Sequence, residues 1–182
     1  GVVENIYISD IYMFNIATDS FLFDLFYGGK SASEALADGD TAPAGEPVFP
    51  VTEETPVFKN IYVKDLVSRN ARRAMFFNGL PEMNIENIHL ENAFITARFG
   101  AEFSESKDII LQNVTVIPEE GPAYLFHNVK NFKAEHLGYE INEPAKAAQI
   151  TGENTFDIYL SGIPKELVKI TSEVNKEQVI FK

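Results

Sequence analysis

The chain has no cysteine and no tryptophan, and only three methionines. Without thiols it can have no disulfides, no thiolate-ligated zinc and no cysteine nucleophile, so packing and hydrogen bonds must hold the fold. Positive charge is scarce too: 15 Lys and Arg stand against 27 Asp and Glu, a net charge of −12 at pH 7. A general nucleic-acid binder needs a basic face to meet phosphates, so that class is excluded. No run approaches the ~18 uninterrupted apolar residues of a membrane-spanning helix. The chain opens on Gly1-Val2-Val3, without Met and without the charged and apolar regions of a signal peptide, and it enters a strand-like run at once. What it has in quantity is aromatic surface. Its 15 Phe and 7 Tyr in 182 residues argue against disorder and supply one domain's worth of core.

A seven-residue pattern recurs: Asn or Asp, apolar, any, apolar, any, polar, apolar. It reads Asn5-Ile6-Tyr7-Ile8-Ser9-Asp10-Ile11, then Asn60-Ile61-Tyr62-Val63-Lys64-Asp65-Leu66. Asn87-Ile88-His89-Leu90-Glu91-Asn92-Ala93 and Asp108-Ile109-Ile110-Leu111-Gln112-Asn113-Val114 follow, with a looser copy at Asn131-Phe132-Lys133-Ala134-Glu135-His136-Leu137. First residues are offset by 55, 27, 21 and 23, and the last three offsets lie in the range of solenoid repeats. Within each copy the period is two, the signature of a strand with one buried face. Second apolar runs follow at 21–26, 74–77, 97–99 and 123–126. Helical spacing of three and four is missing, and an antiparallel sandwich would not explain a pattern recurring at near-constant offset. The repeats predict an all-β fold, a single-stranded parallel β-helix. The leading Asn residues have two structural readings of equal weight: turn formers bonding their own backbone, or a hydrogen-bonded ladder between successive rungs.

The long first offset predicts one ordinary coil plus a loop insertion at 28–54, rich in Gly, Pro and Ala. The coils are expected over 1–151, with a last strand at 155–160 and a C-terminal cap within 152–182. Val2, Val3, Ile6 and Ile8 leave the first rung open and apolar. We therefore expect a solenoid incomplete at its N-terminus, cut from a longer protein and able to self-associate through that rung.

Several stretches together resemble the C-terminal coils of bacterial members of glycoside hydrolase family 28, the polygalacturonase-like pectinases. They are Gly1-Val2-Val3-Glu4-Asn5-Ile6, Phe23-Asp24-Leu25-Phe26-Tyr27-Gly28-Gly29-Lys30 and Pro50-Val51-Thr52-Glu53-Glu54-Thr55-Pro56, then Gly79-Leu80-Pro81-Glu82-Met83, Ile85-Glu86-Asn87-Ile88 and Leu160-Ser161-Gly162-Ile163. The resemblance covers essentially the whole chain. It implies a right-handed helix, a pectic polysaccharide or oligogalacturonide partner, a periplasmic or extracellular location and no cofactor or metal. It also implies inverting hydrolysis by two carboxyl groups set roughly 6.5–9.5 Å apart. The family's catalytic motifs, Asn-Thr-Asp, Asp-Asp, Gly-His-Gly and Arg-Ile-Lys, are all absent here. No catalytic residue carries over, and the chain by itself is expected to be inactive. A noncatalytic β-helix that binds carbohydrate or mediates protein interaction is the alternative.

By the same resemblance, Tyr27 and Lys30 are candidates for sugar stacking and uronate binding. Arg72 belongs to a basic cluster of Lys59, Lys64, Arg69, Arg72 and Arg73, which could focus a local positive field in an acidic chain. Against this stands the simpler reading of a charged turn with outward lysines. Glu53 and Glu54 point apart on an extended chain and are expected to be solvated, and Glu82 is expected to bridge rungs by a salt bridge. His89, His127 and His136 lack the close spacing of a metal site, and Asn113-Val114-Thr115 is a glycosylation triplet lying inside a strand.

Overall fold

A computed structural model describes residues 1–26, 48–141 and 146–182. The chain is all-β. Its strands are β1 (Val2–Phe14), β2 (Asp19–Asp24), β3 (Val57–Asn78), β4 (Ile85–Glu135), β5 (Gly138–Tyr139), β6 (Ala148–Thr151), β7 (Phe156–Leu160), β8 (Val168–Ile170) and β9 (Val179–Phe181). Among the described residues they form one nine-stranded sheet in which the pairings between strands are parallel. The register aligns the repeats position by position: Ile6 with Ile61 and Ile61 with Ile88. Further on, Phe132 meets Ile158 and Ile158 meets Val179.

The aligned Asn and Asp residues are corners. Asn5, Asn60, Asn87, Asp108, Asn131 and Asp157 all have φ between 48° and 58°. So do Asp10, Asp65, Asn92, Asn113 and His136, at φ 53° to 57°. This is the left-handed region, which short polar side chains tolerate better than other L-residues. The long strand β4 thus bends repeatedly without leaving the ladder of backbone hydrogen bonds.

The same side chains also stack. Asn60 Nδ2 donates to Asn5 Oδ1 (3.2 Å), Asn87 Nδ2 to Asn60 Oδ1 (2.8 Å) and Asn131 Nδ2 to Asp108 Oδ1 (2.6 Å). At the next corner Asn92 donates to Asp65 (2.9 Å) and Asn113 to Asn92 (3.1 Å). Turn former and ladder are therefore one device, and the Asn113 amide of the glycosylation triplet is already engaged.

Alternate residues face inward. Ile61, Val63, Leu66, Ile88, Leu90, Ile109, Leu111, Val114 and Val116 are buried, each 4% exposed or less. A third strand segment per level contributes an inner aromatic column: Phe23–Phe77 at 4.9 Å, Phe77–Phe103 at 4.8 Å and Phe103–Phe126 at 5.6 Å. These spacings match the ~4.8 Å between neighbouring strands. Phe132 meets Phe103 and Phe126 edge-on at 5.2 and 4.8 Å. Burying each such ring is worth about 1.5–3 kcal/mol. Tyr124, fully buried, donates its hydroxyl to the carbonyls of Val114 (3.0 Å) and Gly138 (2.8 Å), and burial pushes its phenol far above its ordinary pKa.

The expected last strand is β7. Beyond it, two short 3-10 turns (Lys165–Leu167, Lys176–Gln178) each lead into a further parallel strand, β8 on β6 and β9 on β7. Residues 27–47, most of the expected insertion, lie outside the described residues, and 48–54 are exposed and irregular. At the other end, β1 pairs with β3 on one edge and, among the described residues, with no strand on the other. Its inward Ile8 is 43% exposed, although Val63 beneath it is buried.

Candidate functional site

Between the inward Ile6 and Ile8, Tyr7 must point outward, and the parallel register repeats this on each level. Tyr7 aligns with Tyr62 and Tyr62 with His89, while Ser9 aligns with Lys64 and Lys64 with Glu91. The Tyr7 and Tyr62 rings stack at 4.8 Å with only 6° between their planes, and the His89 ring continues the column at 4.8 Å, tilted 46°. Ile110 and Gln112 close the far end of a groove of about 380 Å3.

The corner residue Asn87 orders this column. Its Nδ2 donates to the Tyr62 hydroxyl (3.2 Å) and its Oδ1 accepts from His89 Nε2 (2.9 Å). Burial lowers the His89 pKa from its ordinary value and so favours the neutral ring. Lys64 is bound to Glu91 (3.2 Å), and that carboxylate raises the lysine's pKa. Tyr7 is 74% exposed, so its ring face is open to a ligand. The stacked rings turn their faces to one another and their edges outward, so the ring face left for the C–H face of a sugar is the outer face of Tyr7, beside a hydroxyl, an amide and an ion pair. Glu91 is the only carboxylate among the described residues lining the groove. Two-carboxylate hydrolysis has no partner group there.

A second, shallower groove of about 480 Å3 lies across the Asp10–Asp65–Asn92 corner column. Its floor is the row Tyr12, Val67 and Phe94, with the Arg69 guanidinium 5.3 Å from the Phe94 ring.

A third cluster closes the ends of the third strand segments. Glu105, 4% exposed, accepts from Asn128 Nδ2 (2.6 Å) and Asn84 Nδ2 (3.1 Å), with Lys130 Nζ at 3.8 Å. Lys130 also donates to Asn84 Oδ1 (2.8 Å). Burial raises the Glu105 pKa in spite of these donors. The groups satisfy one another, so the cluster fastens the 79–84 turn to the sheet.

Tyr27 and Lys30 lie outside the described residues. Arg72 is exposed; its backbone N–H donates to the carbonyls of Ile16 and Thr18 (both 3.0 Å), and its side chain lines neither groove. The basic cluster is not a patch. Lys59 pairs with Glu4 (3.3 Å), Lys64 with Glu91, and Arg69 covers Phe94. Arg73 binds Asp19 (2.9 Å) and Glu102 (3.0 Å) while lying 3.7 Å from the Phe76 ring centroid. Corners between these residues send their side chains to different faces, so nearness in sequence does not become nearness in space. Nor, among the described residues, does Glu82 make the expected salt bridge. It sits in the Leu80–Met83 turn, with Oε2 buried and without a hydrogen-bond partner among the described residues.

The column Tyr7–Tyr62–His89 escapes a reading of the sequence that treats the third position of each repeat as free. Its signal is that this position holds a ring in three successive copies. Comparison with protein-family models, with curated proteins and with solved structures finds no match to this chain.

Proposed function

We propose that the stacked levels wind as a right-handed parallel β-helix and that the chain is a sugar-binding, noncatalytic section of a glycoside hydrolase resembling the polygalacturonases. The observation that carries the sugar-binding reading is the exposed outer face of Tyr7, the end ring of the outward Tyr7–Tyr62–His89 stack. The hydrolase ancestry rests on the resemblance of the stretches from Gly1-Val2-Val3 to Leu160-Ser161-Gly162-Ile163. Location outside the cytoplasm follows from the same source. The missing catalytic motifs, together with a groove holding a single, ion-paired carboxylate, support inactivity of the chain by itself.

The test is release of reducing ends from polygalacturonate by the 182-residue chain, with none expected above a protein-free blank. Release that disappears in Asp24→Asn or Glu82→Gln would overturn the inactive assignment.

A further inference from the structure

We propose that the Tyr7–Tyr62–His89 groove takes an uncharged glycan rather than a uronate polymer. This rests on the reading of the groove as a sugar-binding face and adds the ligand class. A uronate site needs a cation free to meet the carboxylate, normally an Arg fork or a Lys ammonium. Among the described residues lining the groove, the basic groups are Lys64 and His89. The Lys64 ammonium is held by Glu91 at 3.2 Å. The His89 Nε2 is spent on Asn87, and its ring lies against Tyr62. A uronate would therefore have to share Lys64 with Glu91, with the two carboxylates side by side. The field of the chain opposes this as well, at −12 overall.

Neutral hydroxyls meet no such obstacle. The Lys64–Glu91 pair offers a donor and an acceptor side by side; at the rim Gln112 offers both, and Ser9, whose hydroxyl donates to Asp10 Oδ2 (2.7 Å), offers an acceptor. The outer face of Tyr7 supplies the apolar surface for the C–H face of the sugar ring.

Isothermal titration of the intact chain tests this, with three probes of matched length: a neutral β-linked galacto-oligosaccharide, a neutral gluco-oligosaccharide and an oligogalacturonide. At least one neutral probe is expected to bind, to weaken about tenfold or more in Tyr7→Ala, and to outbind the oligogalacturonide. Tyr7 is largely exposed, so this variant retains the fold, which circular dichroism checks. Glu91→Gln frees Lys64. In that variant oligogalacturonide binding is expected to appear and to fade with added salt. Oligogalacturonide binding to the unaltered chain through Tyr7 overturns the neutral assignment but leaves the sugar-binding reading intact. Neutral binding indifferent to Tyr7→Ala removes the ligand from this groove. If no probe binds either form, the inference and the sugar-binding reading fall together.

Discussion

At the scale of single residues, the corners define the protein. An Asn at a left-handed corner relieves backbone strain and spends its amide on the level beside it. Asn87 does more, because it also holds Tyr62 and His89 in the groove. These contributions can be separated. Asn87→Gly keeps the left-handed corner at little strain and loses the side-chain bonds, at a cost of about 1–2 kcal/mol. Asn87→Ala adds left-handed strain of about 1–2 kcal/mol to the lost bonds. Urea unfolding should rank the stabilities wild type, then Gly, then Ala. Equal losses in the two variants would show that the corner strain counts for nothing.

At the scale of elements, the third strand segments meet the 79–84 turn, and close approach decides what fits. A Cβ on Gly79 would stand 2.0 Å from the Glu105 carbonyl oxygen, which leaves room only for glycine. The Glu105 carboxylate beside it is pushed up from 4.5 by burial, against the pull of Asn128, Lys130, Asn84 and His127. A carboxyl group with a raised folded-state pKa stabilises below its unfolded pKa, and the contribution is lost as pH rises through the folded value. The melting temperature of the wild type relative to Glu105→Gln should therefore fall as pH climbs from about 4.5 toward neutrality. A constant difference between the two across that range would remove Glu105 as the titrating group. Glu135 and Glu173 shift the other way, but they are present in both proteins.

At the scale of the whole molecule, polar and apolar surfaces are unevenly placed. The outer edge of β1 is unpaired among the described residues, and its inward positions are partly exposed, Val3 at 38% and Ile8 at 43%. An open parallel edge of this kind is a template for another strand. The segment carries Glu4 and Asp10 and no cation, so two copies meeting there repel at low ionic strength. The expected behaviour is a mass by light scattering that rises with protein concentration, and rises further when salt screens those carboxylates. A single monomer mass at all concentrations and salt levels would exclude association through β1.

The all-β class, the strand positions and the corners at the repeat starts were legible in the sequence, because a period of two and a leading Asn or Asp are local constraints. The Asn ladder was half legible: the residue type could be read, but its double role needed the levels to be stacked. The Tyr7–Tyr62–His89 column could not be read one repeat at a time. Residues 55 and 27 positions apart become neighbours only when parallel pairing sets the register. The basic cluster went the other way, since residues adjacent in sequence were parted by corners onto different faces. Alternation and corner chemistry were thus determined by the sequence itself. Which side chains share a surface was decided by the tertiary structure, because the register joins residues distant along the chain and the corners separate near ones.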